Sequence, residues 1–211
     1  PDAQRAILCD GVALGHTRLS IVDVASGHQP MSDPDTGLTI VFNGEVFNYV
    51  ELRTNLENSY TFRTRSDTEV ILAAFRDRGI DCVRDFIGQF AFVIFDPRDQ
   101  SLWFARDRVG IRPLYYTQSD EGLAFASEAK ALFASSTVTP EIDNRAVAET
   151  LSLWAPLEGH SMFRNVSALP PGHTACFRAG HFSMQKYWDV DLEDDRVDRQ
   201  KALTLNAAPE E

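Results

Sequence analysis

Leu38-Thr-Ile-Val-Phe42, followed at once by Asn43-Gly44-Glu45, is the stretch on which the fold turns. Its residues are β-branched or apolar at every position, so both faces of this strand need cover. A strand buried on two sides calls for a layer on each. The reading here is an interior strand that ends at Asn43-Gly44, a dipeptide favoured in tight turns.

The segments on either side repeat the pattern. Ala6–Cys9 and Val12–Gly15 flank Asp10-Gly11, the signature of a two-residue hairpin turn. Leu19–Val22 reads as a short buried run. Ser66-Asp67-Thr68-Glu69 has the spacing of a capping box, with the Ser66 hydroxyl on the Glu69 amide, and opens a helix that Gly79 stops. Strands follow over Gln89–Phe95, Ser101–Arg106, Pro113–Thr117 and Leu123–Ala126. Ser127–Phe133 and a segment capped by Asp143 read as helices, and Thr174–Arg178 with Phe182–Trp188 as a last hairpin. Hairpin-linked strands with helices between them give an α+β class: two antiparallel sheets face to face, helices outside.

Composition narrows the function. The 211 residues are 44% hydrophobic and 24% charged, as in ordinary globular domains, and no apolar run is long enough for a membrane helix. Thirty-one acidic against 20 basic residues give a net charge of −11, which disfavours a nucleic-acid partner. Residues 189–211 hold eight acids and three bases and read as an acidic linker or tail. Cys9, Cys82 and Cys176 lack C-x-x-C spacing, and the five histidines lack H-x-x-x-H spacing, so no local metal site is expected and the cysteines read as small core residues. Reduced thiols suit a cytoplasmic location.

Four features bear on chemistry. Asn43-Gly44-Glu45 is either a turn or, with the Asn amide and Gly N–H aimed at one point, an oxyanion hole. Arg18 before an apolar run needs a carboxylate partner, from the protein or from a ligand. Asp67 in a helix first turn is explained by the helix dipole, or else receives a ligand ammonium. Arg106-Asp107-Arg108-Val-Gly-Ile-Arg112-Pro113 reads as a salt-bridge network that organises a turn. These residues reach a site for a zwitterionic ligand, and no reaction.

A resemblance goes further. His16-Thr-Arg18-Leu-Ser-Ile-Val-Asp23, Gly27-His-Gln-Pro30, Val41-Phe-Asn43-Gly-Glu45-Val-Phe-Asn48, Arg65-Ser-Asp67-Thr-Glu69-Val-Ile71, Gly88-Gln-Phe-Ala-Phe92, Ala105-Arg-Asp-Arg-Val-Gly-Ile-Arg-Pro-Leu-Tyr-Tyr116 and Ala126-Ser-Glu-Ala-Lys-Ala-Leu132 occur in this order. Together they resemble the glutaminase domain of glutamine-dependent asparagine synthetases, which are class II glutamine amidotransferases, from the first residue to residue 188. The resemblance implies the four-layer α-β-β-α sandwich of N-terminal-nucleophile hydrolases. It implies L-glutamine as ligand: Arg18 on its α-carboxylate, Asp67 with Glu45 on its ammonium, Asn43 and Gly44 as oxyanion hole, and Leu19, Ser20, Ile21 and Val22 in the pocket wall.

In that family an N-terminal cysteine attacks the glutamine amide, its own α-amine acting as base, and the released ammonia reaches a domain that activates aspartate with ATP and Mg. Pro1-Asp2 resembles the tail of that family's Arg-Gly-Pro-Asp element, and Cys9 is neither N-terminal nor at the matching position. The expectation is therefore a chain lacking the nucleophile, the first strand, the first helix and the synthetase domain, and inactive as it stands, with a sheet edge and an apolar face exposed. The rival readings are a non-catalytic remnant that binds glutamine or a protein partner, and catalysis by Pro1 as N-terminal base. A homodimer and a different amide acceptor, as in β-lactam synthetases, stay open.

Overall fold

Alternation along two strands sets the layers. In a computed structural model that describes residues 2–19, 23, 26–120, 122–136, 138–157 and 159–190, β1 (Ala3–Cys9) and β2 (Val12–Arg18) form a hairpin. β3 (Met31–Ser32) and β4 (Thr39–Val46) precede helices α1 (Tyr49–Leu56) and α2 (Asp67–Arg78). A 3-10 turn over Gly79–Asp85 leads to β5 (Gly88–Asp96), β6 (Ser101–Arg106), β7 (Tyr115–Ser119) and β8 (Gly122–Ala126). Then come α3 (Ala129–Ala134), α4 (Asn144–Leu153), β9 (Ser167–Ala168), β10 (His173–Arg178) and β11 (His181–Lys186).

The central sheet is antiparallel throughout, in the order β11-β10-β6-β5-β4-β3. Ile40 and Phe42 of β4, with Phe90, Phe92 and Ile94 of β5, face one way and pack with Leu52 and Leu56 of α1 and Val70, Ile71 and Phe75 of α2. Their neighbours Val41, Ala91, Val93 and Phe95 face the other way, onto Leu14, Leu114 and Leu169. A period of two with apolar residues in both phases thus builds two cores on one sheet. The second β layer is in two pieces, β1-β2 and β8-β7-β9, and α3 packs outside β7 and β8. The chain is an α+β sandwich with antiparallel sheets inside, as the double-sided strands require. Between β2 and β8, each paired on one side only among the described residues, lies a groove of ≈ 610 Å³ floored by Val41, Ala91 and Val93.

The hairpin turns follow their sequences: Asp10 and Gly11 both have positive φ (45° and 84°), as do Ala179 and Gly180 (49° and 78°). Other expectations need correction. β4 does not stop at Asn43-Gly44. It runs on to Val46, with Gly44 opposite Phe90. The reason is steric: Gly44 has φ +139°, and a Cβ there would lie 2.0 Å from the Gln89 carbonyl oxygen, so the glycine lets two strands approach where a turn was expected.

The capping box is half present. Ser66 caps α2 by accepting from the Thr68 amide at 3.1 Å, while the Glu69 carboxylate accepts from the Arg63 and Thr64 amides at 2.8 and 2.6 Å. Leu19 is 73% exposed and not part of a buried run, since β2 ends at Arg18 and nothing covers it among the described residues. Helix α1 was not expected. Only Leu52 and Leu56 of its eight residues are buried, too brief a stripe to register, and the Asn48 side chain before it bonds Ile87 N and Asp85 O instead of capping.

The turn at 106–112 is held by side-chain hydrogen bonds to the backbone, with no salt bridge among the described residues. Asp107, fully buried, accepts from the amides of Phe90, Val109, Ile111 and Arg112. Arg106 donates to the carbonyls of Arg112, Leu169 and Gly110 at 2.7–2.8 Å. No helix among the described residues is long and apolar enough to cross a membrane.

Candidate functional site

Three chain segments meet at the ends of β2 and β4 and the start of α2. Arg18 closes β2 and is 6% exposed, its Nη2 donating to the Asp23 carbonyl at 2.8 Å. Asn43, Gly44 and Glu45 lie on the last part of β4. Asp67 is the first residue of α2 and 4% exposed. Its Oδ2 accepts from the Val46 amide at 3.2 Å and its Oδ1 from the Thr68 amide at 2.9 Å, so the carboxylate ties α2 to β4.

A cavity of ≈ 190 Å³ opens between these segments. Arg18, Leu19, Asn43, Gly44, Glu45 and Asp67 all line it, together with His16, Gly27, Gln29, Ser66, Thr68 and Arg112. Ser20, Ile21 and Val22 lie outside the described residues. The Asn43 side chain lines the cavity without a hydrogen bond inside the protein among the described residues.

Both signs of charge meet in the lining. Arg18 and Arg112 bring guanidinium groups to it, and Asp67 of α2 and Glu45 of β4 bring carboxylates. Burial pushes the Asp67 carboxyl above its ordinary value, the Glu45 charge adds to the rise, and the Val46 and Thr68 amides oppose it. A cation placed there would relieve both the burial and the like-charge penalty. A small molecule with an anionic and a cationic end fits such a cavity.

Several lining residues escaped the sequence reading. His16 is two residues before Arg18 on the same strand face, a spacing that could have flagged it. The Gln29 Oε1 accepts from the Phe42 amide at 2.6 Å, bracing β4. Arg112 is brought to the cavity by the Asp107 turn, and its buried Nε has no partner among the described residues.

The three cysteines lie elsewhere: none lines the cavity. Burial pushes the Cys82 thiol up to about 12, and raises that of Cys176 as well. Cys9 packs at the margin of the second core. Of the three only Cys82 is a core residue, and Cys176 lines a groove beside β10 and β11. Among the described residues no cluster of His, Cys, Asp and Glu is placed to hold a metal ion.

Comparison with known proteins gives the family. Residues 1–188 match the glutamine amidotransferase domain family. The chain is 37% identical over 205 residues to asparagine synthetase [glutamine-hydrolyzing] 1 of Bacillus subtilis, covering 96% of this chain and 32% of that protein. It is 36% identical over 196 residues to the amidase chyE of Penicillium rubens, covering 92% of this chain and 29% of the other. The chain thus spans about a third of the length of the curated relatives it matches. Among solved structures, the glutamine phosphoribosylpyrophosphate amidotransferase of B. subtilis superposes with a TM-score of 0.59 at 22% identity, over 84% of this chain and 35% of that one. That likeness carries the fold alone, an α+β sandwich of antiparallel sheets. On the family match across residues 1–188, the chain belongs to the class II glutamine amidotransferases.

Proposed function

We propose that the cavity binds L-glutamine as a zwitterion and that the chain is the glutaminase portion of an asparagine synthetase-like enzyme. Arg18 takes the α-carboxylate. Asp67, helped by Glu45, takes the α-ammonium. The side-chain amide then reaches Asn43 and Gly44, whose N–H groups stabilise the oxyanion formed when the amide carbonyl is attacked. The observation that carries this reading is that Arg18 and Asp67 line one cavity together with Asn43, Gly44 and Glu45.

Because none of the three cysteines lines that cavity, these 211 residues are proposed to bind glutamine without opening it. A missing nucleophile removes the covalent route itself, where a lost oxyanion donor costs about 10²–10³ in rate. Transfer of the ammonia to aspartate by a synthetase domain in cis, with ATP and Mg, belongs to the same reading, as do a homodimer, a soluble cytoplasmic setting and a tail beginning at residue 189. Its support is the likeness to asparagine synthetases about three times as long as this chain.

The reading is tested by calorimetric titration with L-glutamine and a glutaminase assay on the same sample. Saturable binding without turnover, lost in Asp67→Asn, is the expected result. Turnover that survives Cys9→Ala in a pure sample would show that the catalytic group had been misassigned.

A further inference from the structure

Arg18 and Asp67 sit on different elements, and Asp23 touches both Arg18 and the residues that lead into α2. Its carbonyl accepts from Arg18 Nη2 at 2.8 Å and from the Gly27 amide at 2.9 Å. Its carboxylate accepts from the Ser26 amide at 3.1 Å, from the Ser26 hydroxyl at 2.7 Å and from the Arg65 amide at 2.7 Å. Arg65 directly precedes Ser66, the cap of α2, and Asp67. One residue therefore grips the guanidinium with its backbone and the start of α2 with its side chain.

Gly27 adds a second, independent constraint. A Cβ there would stand 2.7 Å from Arg18 Nη2 and 3.3 Å from the Ser66 Cβ. Gly27 does not have positive φ, so it is the space between the two arms, not the backbone conformation, that asks for glycine.

We propose that Asp23 is a positioning residue for amino-acid recognition: it brackets Arg18 to the start of α2, with Gly27 as the spacer, and so fixes the distance between the group that takes a carboxylate and the group that takes an ammonium. The inference rests on the glutamine reading of the cavity. Its physical basis is preorganisation. A long, rotamer-rich guanidinium that is already held loses little freedom when a ligand carboxylate arrives.

The test compares two ligands by NMR titration, so that weak binding is readable: L-glutamine, and 4-aminobutanamide, the same molecule without its α-carboxylate. Asp23→Ala keeps the carbonyl that holds Arg18 but cuts its tie to Arg65 and Ser26, so the spacing of the two arms is no longer fixed. It should weaken L-glutamine, which uses both arms, about tenfold and leave 4-aminobutanamide, which uses one, within about twofold. Asp23→Asn, which keeps an acceptor oxygen, should recover most of the loss. Gly27→Ala, which displaces Arg18 from the other side, should repeat the Asp23→Ala pattern. Unchanged L-glutamine affinity in Asp23→Ala overturns the bracket. So does an equal loss for both ligands, which would mean general damage to the fold. If the wild-type chain binds L-glutamine and not the analogue, recovery in Asp23→Asn decides. A wild-type chain that binds neither ligand overturns the glutamine reading itself, a result distinct from failure of the bracket alone.

Discussion

His16 on β2 is hydrogen-bonded through Nε2 to the backbone carbonyl of Phe42 on β4, at 3.1 Å. A carbonyl can only accept, so Nε2 carries the proton and Nδ1, buried and unpartnered among the described residues, is a bare lone pair. The bond joins the strand that carries Arg18 to the residue just before Asn43. It couples the carboxylate end of the proposed glutamine site to its oxyanion end.

Removing that bond should be felt in both places. His16→Ala is expected to lower the unfolding free energy by about 1–2 kcal/mol and to weaken L-glutamine binding, read by denaturant titration and calorimetry.

The same residue gives a pH signature. Burial, which outweighs the Phe42 bond, lowers the His16 pKa from 6.5. The unfolded chain then binds the proton more readily than the folded one. The contribution of His16 to stability is complete above 6.5 and is lost as pH falls from there toward the lowered value. His16→Gln should flatten that part of the stability–pH curve, and an unchanged slope would count against the assignment.

Asp67 predicts a proton release. Its carboxyl titrates above 3.8 in the free protein, mainly through burial. A bound ammonium favours the ionised form and draws the pKa back down. Between 3.8 and the raised value, L-glutamine binding should therefore release protons, seen as a dependence of calorimetric heat on the buffer's ionisation enthalpy. Asp67→Asn should remove the release and weaken binding by at least about 30-fold, roughly 2 kcal/mol.

Gly44 and Asp107 test the scaffold. Gly44→Ala combines a positive φ with a Cβ 2.0 Å from the Gln89 oxygen and should cost more than about 3 kcal/mol, whereas Gly11→Ala, with φ +84° and open space, should cost about 1 kcal/mol. Asp107→Ala would strand four amides and should cost at least about 3 kcal/mol. Thermal denaturation of the three variants checks the ranking.

The sequence disclosed what short-range rules govern. Asp10-Gly11 needed only its own φ preferences, Ser66 only a nearby amide, and Leu38–Phe42 only its two apolar faces. It concealed what depends on a distant partner. Asn43-Gly44 looked like a turn because nothing in the dipeptide announces Gln89 on the neighbouring strand. Arg106 and Asp107, adjacent and opposite in charge, looked like ion-pair material, yet each is satisfied by backbone groups brought in from β5, from the turn itself and from Leu169. For the site, Arg18, Asn43, Gly44, Glu45 and Asp67 stand out locally and take their roles from the resemblance, and the cavity gathers all five, but the residues that brace them, Gln29 and Asp23, become visible only once the chain is folded.

A structure of the chain determined with L-glutamine at saturating concentration tests the central claim most directly. The α-carboxylate should lie on the Arg18 guanidinium, the ammonium on Asp67 and the side-chain amide oxygen toward Asn43 and Gly44. Glutamine bound in the reverse orientation, bound elsewhere, or absent from the cavity would contradict the account.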